Sequence, residues 1–124
     1  MAYIRVMKEP LHTVVETAGF IDDCDDAGVG AEQRSAIVDT FARHPDQGDL
    51  VKGSGGVRKV RVAGRGKGKS GGYRVMVAYI GADLPVYLLA LLSKGDADNF
   101  DAEDISEMKA LVAELKAAKP KRKG

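Results

Sequence analysis

The alternation of hydrophobic and polar residues divides this chain into short strands and amphipathic helices. Apolar positions that alternate or run together predict strands at residues 2–7, 57–63, 73–80 and 86–93. Apolar positions three and four residues apart predict helices at 11–18 and 31–43, and a last helix that Asp101 caps and that extends to Leu115. The predicted order is therefore β-α-α-β-β-β-α.

Glycine and polar clusters separate these elements. Gly19 is expected to end the first helix, and the acidic stretch 21–30 and the stretch 46–56 are expected to be loops. Residues 64–72 carry glycine at five of nine positions, which predicts a flexible loop. The almost continuous apolar run 86–93 is expected to be the central strand.

The length of 124 residues fits one domain, over residues 1–118, followed by a basic, frayed tail at 119–124. Cys24 is the only cysteine, so we expect no disulfide framework and a reducing compartment such as the cytoplasm. No apolar run approaches the roughly 20 residues that a bilayer requires. Arg5 and Lys8 interrupt any signal-peptide core, so no membrane partner is expected.

Basic and acidic residues are segregated along the chain, although their charges nearly cancel overall, with 19 basic and 18 acidic residues. Residues 50–82 contain eight lysines or arginines and no acidic residue. Lys59 and Arg61 share one face of a predicted strand, and Arg74 begins the next strand. Such sorting indicates a polyanionic partner such as nucleic acid, and the alternative is a solvated surface face.

The Gly-Lys-Ser at 68–70 invites a phosphate-binding P-loop, which needs G-x-x-x-x-G-K-[ST] between a strand and a helix. Ala63 stands where the first glycine would have to be, and a strand follows at 73–80 instead of a helix. No helix N-terminus is then available to hold a phosphate, so nucleotide hydrolysis is disfavoured.

The sequence gives little support for a metal site or for a catalytic nucleophile. Four aspartates resemble part of a calcium loop: Asp22, Asp23, Asp25 and Asp26. Ala27 and Arg34 occupy places where such a loop needs ligands, so a solvated acidic turn is expected instead. His12, on a predicted helix, and His44, at a helix end, are expected to be structural, and Cys24 to be an inert thiol. We expect neither a metal nor a cofactor.

Several segments together resemble the RelE superfamily of bacterial toxins, in particular its HigB-type branch. The likeness is strongest over residues 48–115, in the basic strand 56–63, the glycine-rich loop 66–72, Tyr73-Arg74-Val75, the apolar strand with its lysine at 86–94, and Asn99-Phe100. The combination of G-x-R-K-x-R with G-K-x-G-G-x-R is specific as a set. The resemblance implies an α+β fold in which a small antiparallel β-sheet packs against helices.

The resemblance also implies an activity and partners. Toxins of this family, from type II toxin–antitoxin systems, cleave messenger RNA, typically in the ribosomal A site. A cognate antitoxin, usually a helix-turn-helix protein for the HigB type, holds them inactive. Cleavage requires no metal, because the ribose 2′-OH attacks the adjacent phosphate. The implied partners are therefore an antitoxin, mRNA and ribosomal RNA.

Family positions map onto specific residues here. By resemblance, Lys59 and Arg61 are the paired basic residues, Arg74 grips the scissile phosphate, and Lys94 is the basic residue at the end of the apolar strand. The glycine-rich loop supplies RNA-backbone contacts through Arg65, Lys67 and Lys69. Lysine and arginine side chains are chemically suited to stabilise a phosphorane without a metal, and a lysine is also suited to act as acid or base.

Two positions depart from the family pattern. RelE carries an arginine just after the apolar strand, where this chain has Gly95. Its C-terminal tyrosine aligns with Phe100, which lacks a hydroxyl and is expected to stack on an RNA base instead. Tyr73 and Tyr79 are then the alternative candidates for a tyrosine base.

Two other functions remain open at this point. A toxin of the same fold could bind a protein target, as the ParE branch binds gyrase. A non-catalytic RNA-binding module would also use the basic segment.

Overall fold

A computed structural model describes residues 11–62 and 72–118. In chain order the elements are β1 (Val14–Glu16), α1 (Ala18–Ala27), α2 (Ala31–Arg43), β2 (Asp49–Leu50), β3 (Val57–Val62), β4 (Tyr73–Ala78), β5 (Val86–Ser93), α3 (Lys94–Ala97) and α4 (Ala102–Ala117). The predicted first strand at 2–7 and the tail at 119–124 lie outside the described residues. Within the described ranges, no helix combines the length and the apolar character needed to cross a membrane.

The strands form one sheet of five in the order β1-β5-β4-β3-β2. Each strand from β2 to β4 pairs antiparallel with the next strand along the chain. β1, at the edge, pairs parallel with β5. The α+β class is therefore confirmed, with one parallel pair in a sheet expected to be antiparallel. The strand 86–93 lies inside the sheet, but the middle strand is β4 rather than β5, because β1 adds only one strand beyond β5.

Helices cover both faces of this sheet. On one face, Phe20 and Cys24 of α1 and Ile37 and Phe41 of α2 pack with the inward side chains of β3, β4 and β5. On the other face, which we call the α4 face, Val112 packs on residues that include Val57 and Met76. Side chains alternate between these faces along each strand, so a single strand serves both cores.

The N-terminal region is where the sequence prediction was wrong. The expected helix at 11–18 is instead a segment that enters the edge strand β1, followed by α1. Val14 and Val15 are β-branched and favour the strand. The hydroxyl of Thr17 caps α1 by accepting the Phe20 N–H at 3.2 Å and donates to the Leu88 carbonyl at 2.8 Å.

The predicted acidic turn at 21–30 was also wrong, since most of it lies in α1. Asp22, Asp25 and Asp26 are exposed, so they form the solvent face of an amphipathic helix. Asp23 turns inward, where its carboxylate accepts the Leu91 N–H at 2.9 Å. The helix ends at Gly28, whose φ of 78° is the left-handed conformation that glycine adopts most readily.

The turn that leads into β3 depends on one buried hydroxyl. Ser54 is fully buried; its Oγ donates to the Val51 carbonyl at 2.6 Å and accepts the Val57 N–H at 3.0 Å. This turn sets where β3 begins, and therefore the register of the basic residues that β3 carries.

Replacing Ser54 by alanine should lower the free energy of unfolding by about 1–3 kcal/mol, because a buried N–H and a buried carbonyl each lose a partner. Urea denaturation measures the change. Ser35→Ala, on the exposed face of α2, is the control and should stay within about 0.5 kcal/mol. Equal stability of the two variants would contradict the role given to Ser54.

Candidate active site

The pairing of β3 with β4 brings two arginines together. Arg61 lies directly opposite Arg74 in the antiparallel register. Directly opposed residues of a sheet project from the same face with Cβ atoms about 4.5–5.5 Å apart. Lys59, two residues before Arg61, lies on the same α4 face opposite Met76. We call Lys59, Arg61 and Arg74 the basic cluster; the sequence prediction placed them together, and the register does so too.

The members of the basic cluster differ in exposure. Arg61 is exposed, whereas Arg74 is half-buried and donates from Nη1 to the Tyr73 carbonyl at 3.4 Å. The cluster lies toward the end of the sheet where β3 ends and β4 begins. An anion that approaches this end of the sheet would meet two guanidinium groups on adjacent strands.

Lys59 is held by partners at the end of α3. Its Nζ donates to the Ala97 carbonyl oxygen at 3.1 Å and lies 3.4 Å from Oδ1 of Asp98. Both acceptors belong to the end of α3, a short helix that packs on the ends of β4 and β5. An ammonium group has three N–H donors, so these two acceptors, within the part of the chain that the structure describes, leave one donor for a further oxygen.

Phe100 supports the same lysine. The Nζ of Lys59 lies 5.9 Å from the centroid of the Phe100 ring, within the range of a cation–π contact. The ring is half-buried and packs against the core of the α4 face. The structure thus joins two residues, Lys59 and Phe100, to which the sequence assigned separate duties.

The other expected site residues lie at the same end of the sheet or outside the described residues. Lys94 is exposed at the first position of α3, directly after Ser93, which pairs with Tyr73. Arg65, Lys67 and Lys69 fall in 63–71, outside the described residues. Two further basic residues of the segment 50–82 are not assigned to the site: Lys52 is exposed, and Arg58 donates to the Asp46 carbonyl at 3.0 Å and the Gly48 carbonyl at 3.2 Å. Arg58 therefore ties the β2 segment to β3.

Neither alternative tyrosine can serve the basic cluster. Tyr73 and Tyr79 pack against the core on the opposite face of the sheet. The Tyr73 hydroxyl donates to the Ala27 carbonyl at 3.4 Å, and the Tyr79 ring meets His12 edge-on at a centroid distance of 5.8 Å. Alternation along β4 explains the first case, because Tyr73 immediately precedes Arg74 and so points the other way.

The sequence reasoning missed α3 and the two acceptors at its end. A signal was present: Ser93 is followed three residues later by Asp96, the spacing of a helix N-terminus. The Ser93 hydroxyl indeed accepts the Asp96 N–H at 3.2 Å. Asp98 carried no signal of its own, since its contact with Lys59 joins residues 39 positions apart.

The remaining chemical candidates are structural. His12, expected on a helix, instead lies before β1, where its Nε2 contacts the Leu84 carbonyl at 2.8 Å; His44 ends α2 as expected. Burial raises the pKa of the Cys24 thiol, and the nearby Arg34 opposes this shift. Among residues 11–62 and 72–118, no group of three or more His, Cys, Asp or Glu side chains is placed to hold a metal ion.

Because Arg61 and Arg74 lie opposite each other, we expect their repulsion to affect the free energy of unfolding. Like charges directly opposite each other in a sheet are unfavourable by roughly 0.2–1 kcal/mol. Arg61→Gln should therefore leave the free energy of unfolding unchanged or raise it by several tenths of a kcal/mol, although it removes a cation from the site. Urea melts at low salt test this; a loss above about 1 kcal/mol would mean that Arg61 has a structural duty.

Comparison with known protein families bears on the family resemblance of the sequence. Residues 36–122 match the family model described as the RelE toxin of the RelE / RelB toxin-antitoxin system. The match covers more than half of the chain and includes all of β3, β4, β5, α3 and α4. The resemblance seen in the sequence is thereby confirmed at the level of the family. The chain belongs to the RelE family of toxins from toxin–antitoxin systems.

Proposed function

We propose that this toxin is an endoribonuclease that cleaves messenger RNA on the ribosome, without a metal, and thereby inhibits translation. The observation that carries the proposal is the register of β3 and β4, which puts Arg61 and Arg74 opposite each other on the face that also bears Lys59. Membership of the RelE family supports a toxin role. Opposed arginines are costly in a sheet, and a bound phosphate would remove that cost.

The proposed reaction is an attack of the ribose 2′-oxygen on the adjacent phosphorus. A base takes up the 2′-OH proton as the 2′-O–P bond forms; the P–5′-O bond breaks, and the leaving 5′-oxygen takes up a proton. Arg61 and Arg74 would contact the non-bridging oxygens, whose charge grows in the phosphorane, and this is the charge that fixed cations stabilise best. Metal ions are not required, because the guanidinium groups fill that role.

Lys59 is our candidate for the acid that protonates the leaving oxygen. Two acceptors at the end of α3 bind its ammonium, which leaves one N–H donor among the contacts that residues 11–62 and 72–118 make. Lys94, at the same end of the sheet, would bind the RNA backbone or the phosphate. The Lys59 ammonium lies over one face of the Phe100 ring, so a base that stacks on Phe100 would use the other face.

The proposal extends to partners and location. RelE family toxins pair with an antitoxin; we infer for this chain a helix-turn-helix antitoxin of the HigB type and a cytoplasmic location. Arg65, Lys67 and Lys69 would contact mRNA or ribosomal RNA.

Induced expression in a bacterium without the antitoxin tests the function. Growth arrest with cuts at a fixed position within codons, mapped by primer extension, would support the proposal. Growth arrest with uncut mRNA and altered plasmid supercoiling would favour a ParE-like toxin. Normal growth with the folded protein present would contradict any toxic activity.

A further inference from the structure

Lys59 is held by groups that the cleavage chemistry itself does not require. The Ala97 carbonyl at 3.1 Å and the Asp98 carboxylate at 3.4 Å draw its ammonium toward the end of α3, and the Phe100 ring lies 5.9 Å away. The Lys59 side chain is 27% exposed, so it is not a freely solvated surface lysine. Lysine has a long flexible stem, and such a stem needs fixed partners to hold its charge in one place.

We infer that Asp98 is a positioning residue for Lys59: its carboxylate fixes the ammonium for cleavage and, in doing so, weakens binding of RNA. The inference rests on the proposed function. It adds a residue to the site, and it predicts that cleavage rate and RNA affinity move in opposite directions when the Asp98 charge is removed.

The first half of the inference follows from geometry. Asp98 is the C-cap of α3, and α3 packs on the strand ends next to the basic cluster, so the backbone that carries the carboxylate is held beside the site. A displacement of about 1 Å in a catalytic group can lower a rate by as much as about a hundredfold. Asp98→Asn keeps the shape but removes the charge, so we expect cleavage to slow by about tenfold.

The second half follows from charge. Asp98 is a half-exposed carboxylate, 49% exposed, beside a site proposed to bind phosphate. It repels the RNA backbone and neutralises part of the Lys59 charge. Its removal should therefore tighten RNA binding by about two- to fivefold, the size expected of one partly exposed charge.

The chain offers a matched control at Asp49. This residue lies on β2, directly opposite Lys59 in the register, so its carboxylate is a second negative charge beside the same lysine. The ion pair of Lys59, however, is with Asp98. Asp49→Asn should therefore tighten RNA binding as Asp98→Asn does but keep the cleavage rate within about twofold.

The experiment measures two quantities for the wild type, Asp98→Asn and Asp49→Asn. Affinity is measured by fluorescence anisotropy with a labelled 2′-O-methyl RNA oligonucleotide, which cannot be cleaved. The rate comes from single-turnover cleavage of mRNA bound to ribosomes. Asp98→Asn is also combined with Lys59→Met, where it should have no further effect on rate, and urea melts check that each variant folds.

Each outcome bears on the inference. Tighter binding with slower cleavage in Asp98→Asn, absent from the Lys59→Met background, supports it. A rate equal to that of Asp49→Asn overturns it and leaves the proposed function intact. Parallel losses of affinity, rate and stability also overturn it, because they indicate a structural role. No cleavage by the wild type would overturn the proposed function and this inference with it.

Discussion

Replacing Arg74 by methionine should slow RNA cleavage by about two to three orders of magnitude, the loss typical when one fixed donor to a developing oxyanion is removed. Methionine keeps much of the apolar stem of a half-buried arginine but not its guanidinium group. The rate of single-turnover cleavage on ribosome-bound mRNA measures the effect. RNA affinity should fall much less, because other cations still contact the backbone.

Arg43→Met is the matched control for this variant. Arg43 ends α2, on the helical layer that covers the opposite face of the sheet, and it is exposed, with an ion pair to Asp39 at 3.5 Å. Its replacement removes the same charge and should leave the rate within about twofold. An Arg74→Met rate equal to that of Arg43→Met would contradict the role given to Arg74 in cleavage.

A single 2′-deoxy substitution on the 5′ side of the scissile phosphate should abolish cleavage at that position. The proposed nucleophile is the 2′-oxygen, and without it the reaction has no attacking group. The wild-type reaction should leave a 2′,3′-cyclic phosphate on one fragment and a 5′-hydroxyl on the other. Gel mobility of the fragments before and after phosphatase treatment distinguishes these ends.

The neighbouring nucleotide supplies the control for the deoxy substitution. A 2′-deoxy group one position further along should reduce cleavage little, since it removes a contact rather than the nucleophile. Persistent cutting at the deoxy position, with a 5′-phosphate on the product, would show attack by water instead. The roles given to Arg61 and Arg74 would then need a different reaction.

The strands of the site were predictable because their side chains alternate between two environments. In β3, Val57 and Val60 are buried on opposite faces while Arg61 is exposed, and this contrast is visible in the sequence. The same alternation predicted β4, the strand that carries Arg74, and therefore the basic cluster. The boundaries of α2 and β5 followed from helical spacing and from an uninterrupted apolar run.

The N-terminal region was harder because its spacing fits two structures. Val14, Val15 and Ala18 can lie on one side of a helix, but β1 is an edge strand that exists only beside β5. The stabilising contact, from the Thr17 hydroxyl to the Leu88 carbonyl, spans 71 positions of sequence. Tertiary pairing of this kind overrides local preference and leaves no local signal.

The surroundings of Lys59 could not be predicted from the sequence either. The basic residue itself was identified, but its two acceptors lie 38 and 39 positions away on a helix of four residues. Charge counting treated residues 50–82 as purely cationic, whereas the structure brings Asp98 from outside that segment against it. The basic cluster therefore includes a lysine that forms an ion pair with a carboxylate from a distant part of the sequence.

The most direct test of the central claim uses purified protein and ribosomes that carry a defined mRNA. The wild type should cut the mRNA at a fixed position within codons, and Arg74→Met should leave it intact over the same time. Uncut mRNA with the wild type, together with inhibition of gyrase supercoiling by the same preparation, would contradict an RNA-cleaving toxin.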